Sequence, residues 1–168
     1  GIGNTIVLGC LLARQIGADL RLVTRSQPPQ PIVLSALLQA RGVAMDRDIQ
    51  CRFLPAHDVK ADLDLMDGEW LLTDAWWNAL AALGAVEPAR VVCLLQSDPR
   101  GGLADDERLL CEQLLQRRDL HWVLGTAALQ QRLVLEGFEH FAALAPGFEP
   151  GTTQAALQAL LARLPKEA

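Results

Sequence analysis

Residues 90–96 read Arg-Val-Val-Cys-Leu-Leu-Gln, five apolar residues in an unbroken run. A strand wet on one face alternates apolar with polar residues. An uninterrupted run belongs to a strand covered on both faces, the usual setting of a parallel sheet. Further strands are expected at 19–24, where apolar and polar residues alternate, and at 49–54, 69–73 and 120–124. Between them lie segments with helical spacing and caps. Strands alternating with helices predict an α/β fold, a doubly wound parallel sheet of Rossmann-like, three-layer α/β/α form.

The helices are expected at Thr5 to Ile16, Ile32 to Gln39, Trp76 to Leu83, Ala104 to Arg117 and Ala127 to Glu136. The first is apolar nearly all round and should be buried. Arg41-Gly42, Gly84 and Gly137 close their helices, as glycine does at a left-handed C-terminal position. Asp105, Asp106 and Glu107 in a first turn suit the helix macrodipole. Ser26 to Pro31 contains three prolines and reads as loop. The segment His57 to Leu65 fits no element. Pro146 to Gly151 reads as a linker, so the chain divides into a domain at 1–150 and an amphipathic helix at 151–168. That helix is capped by Thr152 or Thr153, with Leu157, Leu160, Leu161 and Leu164 on one stripe.

Composition narrows the function classes. The 168 residues suffice for one domain with a core, and 51% hydrophobic with 21% charged residues is ordinary globular usage. Net charge is −5 with no basic run, which argues against nucleic-acid binding. Cys10, Cys51, Cys93 and Cys111 form no CxxC pair and sit in apolar elements. They read as reduced core thiols of a cytoplasmic protein, with no metal. His57, His121 and His140 show no metal spacing, His121 reading as a satisfied histidine beside a strand. No Gly-x-Ser-x-Gly elbow appears, which disfavours a self-contained hydrolase.

In parallel sheets, ligands bind beyond the carboxyl ends of the strands. Gly1-Ile2-Gly3-Asn4 reads as the glycine-rich turn that follows a first strand and opens a helix. With no strand ahead of it, the chain reads as a piece of a larger protein that lacks its first strand. Gly1, Gly3 and Asn4 there are either a phosphate-holding loop or a plain tight turn. In Thr73-Asp74-Ala75-Trp76-Trp77, neighbouring tryptophans point about 100° apart on a helix, so one edges toward the rim. Asp74, Trp76 and Trp77 are either sugar-binding residues or, respectively, a cap and two core residues. Gln96-Ser97-Asp98-Pro99-Arg100-Gly101-Gly102 places an amide, a carboxylate and a guanidinium in one loop. Asp98 there is a candidate base and Arg100 a phosphate ligand, against an Asp-Pro turn with a solvated arginine. Thr126 reads as a helix cap beside a second anion-binding helix start. Asn4, Asp74, Trp76, Asp98, Arg100 and Thr126 are expected to line one cleft.

Taken together, Leu-Arg-Leu-Val-Thr, Leu-Leu-Thr-Asp-Ala-Trp-Trp-Asn-Ala, Leu-Leu-Gln-Ser-Asp, Asp-Glu-Arg-Leu-Leu-Cys and His-Trp-Val-Leu-Gly-Thr before Gly-Phe give a resemblance. The chain from Gly1 to Phe138 resembles the N-terminal domain of GT-B glycosyltransferases, in particular the rhamnosyltransferase-like enzymes of bacterial cell-surface glycan synthesis. The resemblance implies an acceptor-side domain facing a donor-binding domain that this sequence does not contain. It implies a nucleotide-sugar co-substrate, no further cofactor, a glycan or lipid-linked acceptor, and peripheral membrane association of the full-length protein. It sets Gly3 and Asn4 near the donor diphosphate, with Trp76 and Asp98 near the acceptor. Ser97 stands between Gln96 and Asp98 where the family usually has Gln-Asp. The rival reading is a stand-alone Rossmann-like ligand-binding or regulatory module without catalysis.

Overall fold

A computed structural model describes residues 2–16, 19, 21–24, 30–43, 50–53, 69–84, 86–138 and 142–143. Its elements are α1 (Ile2–Ile16), β1 (Arg21–Thr24), α2 (Pro31–Ala40), β2 (Gln50–Phe53), β3 (Leu71–Thr73), α3 (Trp76–Ala82), β4 (Val91–Leu95), α4 (Asp105–Leu115), β5 (His121–Leu124), α5 (Ala127–Leu135) and β6 (Ala142–Ala143). The segment His57 to Leu65, the linker at 146–151 and the terminal helix lie outside the described residues. So do His57, His140 and the side chain of Cys51.

All five expected strands form, and every pairing is parallel. β1 pairs with β2, and a second sheet runs in the order β3-β4-β5-β6. The unbroken run becomes β4, whose five residues are all buried. Val91, Cys93 and Leu95 of β4 pack with Trp122 and Leu124 of β5 against α3, α4 and α5. The alternate residues Val92, Leu94 and Val123 pack against Leu8 and Leu12 of α1. Helices therefore cover both faces of this sheet at β4 and β5, which is why neither strand alternates apolar with polar.

The apolar circumference of α1 has a physical reason. One side meets the sheet. Another, carrying Ile6 and Val7, meets Leu34 and Leu38 of α2 and Val43 beyond it. No described side chain of α1 is exposed.

Two helices start earlier than expected. Pro31 is not loop but the opening of α2. Proline suits a first helical position, where its missing N–H would have no partner and its fixed φ is already helical. α1 starts at Ile2, so Gly3 and Asn4 lie within its first turn and not in a turn ahead of it.

Of the three glycines expected to close helices in the left-handed conformation, Gly42 and Gly137 do so and Gly84 does not. Gly42 takes φ 68° and Gly137 takes φ 93°, the left-handed conformation that glycine adopts without a Cβ clash. After α5, the Gly137 amide donates to Val134 O at 3.0 Å and Phe138 to Leu133 O at 2.9 Å, which satisfies carbonyls of the last turn.

Candidate functional site at the carboxyl edge

Register lays the strand ends side by side. Thr73 pairs with Cys93, and Leu95 with Leu124. The residues just past those ends are Asp74, Gln96 and Gly125-Thr126.

The β3–α3 turn is organised by Thr73. Its buried hydroxyl accepts from the Ala75 amide at 3.1 Å and from Asn78 Nδ2 at 3.5 Å. Asp74 makes no capping bond to α3; the residue at the cap position is Ala75. Asp74 turns outward instead, where its Oδ2 accepts from Thr5 Oγ1 of α1 at 3.0 Å. One hydrogen bond across 69 positions of chain thus joins the first turn of α1 to the carboxyl end of β3. It places a carboxylate beside a helix N-terminus, where the macrodipole favours negative charge.

The two tryptophans divide as their 100° separation requires. Trp76 is 7% exposed and packs in the cluster under α3, so it has no face to offer a ligand. Trp77 is 55% exposed, and its ring meets Trp76 edge-on with centroids 6.1 Å apart. The stacking surface of this junction therefore belongs to Trp77, three residues after Asp74. Within the junction, Trp76 Nε1 and Asn78 Oδ1 are buried without hydrogen-bond partners.

Asp98 and Arg100 are brought together, but with each other. The Arg100 guanidinium donates to Asp98 in bidentate fashion, Nε to Oδ1 and Nη2 to Oδ2, both at 2.9 Å. The Arg100 amide also donates to Asp98 Oδ1 at 3.0 Å. Arg100 Nη2 reaches Glu136 Oε2 at 2.6 Å, and Arg132 Nη2 lies 3.4 Å from Asp98 Oδ2. Two cations and two carboxylates thus close a quartet with Arg100 at its centre, 8% exposed. The hydrogen bond from Arg100, above all, holds the Asp98 carboxyl below its ordinary range, and the same pairing pushes the Arg100 pKa up.

Glu136 lies about 15 Å along the helix from Thr126, at 1.5 Å per residue. The quartet therefore draws Arg100 toward the far end of α5, while Thr126 stays at the carboxyl edge. Thr126 caps α5 there, its hydroxyl accepting from the Leu129 amide at 3.2 Å. Gln96 is half-buried at the end of β4. The six residues expected in one cleft thus divide. Asp74, Asn4 by its place in α1, and Thr126 mark the carboxyl edge. Trp76 is core. Asp98 and Arg100 join the loop after β4 to α5. Gly1 lies outside the described residues.

Sequence reasoning missed Thr5, Arg132 and Glu136. The last two stand at i and i+4 on α5, a spacing that marks a helical ion pair. Their tie to Asp98 and Arg100 is tertiary, and no local spacing signals it.

At the opposite edge, His121 Nε2 lies 2.9 Å from Ala89 O, and its ring stacks on Trp70 at 6.2 Å. Arg90 covers Trp70 at 5.7 Å. Among the described residues there is no cluster of metal-ligating side chains, and no helix is long and apolar enough to cross a membrane. No protein-family model, curated protein or solved structure matches the chain.

Proposed function

We propose that this chain is the acceptor-side part of a cytoplasmic sugar-transferring enzyme. Its frame would be a doubly wound, three-layer sheet, and a hydroxylated ring would rest at the carboxyl edge beside β3. The observation that carries the reading is the pairing of Asp74 with Thr5 next to the exposed Trp77. A carboxylate held by one hydroxyl keeps lone pairs for sugar hydroxyls, and an exposed indole offers the apolar face a sugar ring stacks on. The donor nucleotide sugar would approach the first turn of α1, where Gly3 and Asn4 lie, from a second domain.

In this reading Asp98 is structural. A carboxylate held below its usual range by an arginine is a weak proton acceptor, the opposite of what a general base needs. That pairing also favours a second reading, a ligand-binding module without catalysis.

The test is ligand titration by saturation-transfer NMR with monosaccharides and nucleotide sugars. Trp77→Ala and Asp74→Asn should each lose roughly tenfold in sugar affinity, about 1–2 kcal/mol, while the melting temperature holds. Sugar binding without turnover in the full-length protein selects the second reading. Unchanged affinity in both variants removes the site.

A further inference from the structure

Helices α3, α4 and α5 share one face of the sheet, and their outer surface is apolar as well as their inner one. Six of the seven large hydrophobic side chains exposed among the described residues lie on these three helices: Trp77, Leu80, Leu109, Leu110, Val134 and Leu135. Apolar surface gathered on one side of a chain marks a contact with another body. The middle helix, α4, is the barest. Asp105–Leu110 are exposed without exception, and the buried residues of α4 begin only at Cys111. More than half of this helix, two adjacent leucines included, thus lies outside the core.

The charge pattern along α4 says what fits there. Cys111, Leu114 and Leu115 face the sheet. At about 100° per residue, Leu109 and Gln113 therefore point away from it, and Asp105, Asp106 and Gln116 share that outer stripe. At its start, Asp105, Asp106 and the neighbouring Glu107 are three exposed carboxylates. At its end stand Arg117, held by Asp119, and the exposed Arg118. Arg108 and Glu112, on the flank, pair with each other. One end of the stripe is thus negative and the other positive, with Leu109 and uncharged glutamine between. A uniformly basic partner would meet like charge at Arg118, and a parallel copy would set acid against acid. A surface whose charge reverses along its length fits its own copy turned end for end.

We propose that this face binds a second copy of the chain, α4 lying antiparallel to α4 about a two-fold axis that passes between Leu109 and Gln113. Leu109 of each copy then meets Gln113 of the other, and Asp105 and Asp106 face Gln116 and Arg118 of the other. With the axis square to the helices, α3 lies over α3 and α5 over α5, so their exposed apolar residues are covered by the same contact. This pairing stands apart from the sugar reading: of that site's residues, only Trp77 lies on these helices.

Sedimentation velocity on the full-length protein, over a concentration series, tests it. The chain should pass from monomer to dimer as concentration rises. Leu109→Lys should raise the dissociation constant roughly tenfold or more. So should Asp105→Lys with Asp106→Lys in one chain, and Gln116→Glu with Arg118→Glu in another, because each then carries one sign of charge at both ends of the stripe. Mixed in equal amounts, these two reversed chains should recover the dimer. Every substituted residue is exposed, so the circular dichroism and melting of each monomer should hold. A monomer at every concentration overturns the proposal, whatever else covers the face. So does a dimer indifferent to Leu109→Lys or to the reversals, or a pair of reversed chains that stays apart on mixing.

Discussion

An indole at 7% exposure and its neighbour at 55% respond oppositely to the same substitution. Trp76→Ala opens a cavity among Val91, Cys93 and their neighbours and should cost about 3–5 kcal/mol in urea unfolding. Trp77→Ala should cost far less, about 1 kcal/mol or below, because more than half of the indole stays in water. Equal losses for the two would contradict the division of the pair. Arg100 makes a second case. Arg100→Met leaves Asp98 with the backbone amide of residue 100 and the exposed Arg132, and Glu136 with Arg132, so the loss should be about 2–3 kcal/mol, below that for an isolated buried pair. The pH dependence has a definite sign. Asp98 titrates lower in the folded chain than in the unfolded one, chiefly through the Arg100 hydrogen bond. Its contribution is therefore complete above the ordinary aspartate range near 4 and is lost as the pH falls through the folded value. The native chain should lose stability more steeply below that range than Arg100→Met. Parallel acid-unfolding curves would show that the quartet carries no linkage.

At the scale of elements, local signals located helices and strands well and joined them poorly. Thr126 and Gly137 bracket α5 as their chemistry requires, because a cap and a left-handed glycine act within one turn. Thr126→Ala should accordingly cost about 1 kcal/mol, read as a shift in the urea midpoint at constant slope. A change below about 0.2 kcal/mol would mean the Leu129 bond contributes nothing net. The strands were legible because a run such as Val91–Leu95 has no alternative to burial. What escaped was long-range: Asp74 reads as a sugar ligand or a cap for α3, yet it bonds Thr5, and Asp98 reads as a base or a turn residue beside a solvated arginine, yet a buried Arg100 and α5 hold it. A side chain's local options are visible in its neighbours, whereas the choice among them is made by residues tens of positions away. Trp76 and Trp77 show the same limit. Helical geometry says one must face outward, and only packing decides which.

For the whole molecule, the central cluster is the part whose integrity everything else assumes. Residues of β4 and β5 meet three helices there, and two free thiols, Cys93 and Cys111, are fully buried within it. Burial pushes Cys111 up to about 11, and it pushes Cys93 up as well, with the Asp74 charge adding to the rise. Cys111 feels Arg100, but desolvation is the larger effect. Two barriers then stand between these thiols and an alkylating reagent: a thiolate fraction at pH 8 of about one in a thousand for a thiol titrating near 11, and a packed cover. Half-buried Cys10, also raised to about 11, has the first barrier and only part of the second. Iodoacetamide at pH 8, followed by peptide mass spectrometry, should therefore modify Cys10 well before Cys93 or Cys111. The latter two should react together, at a rate set by global opening, and should accelerate in step as urea approaches the unfolding midpoint. If Cys111 reacted early and alone, α4 would be opening independently of the sheet. That outcome would contradict a single cluster joining α3, α4 and α5 to β4 and β5.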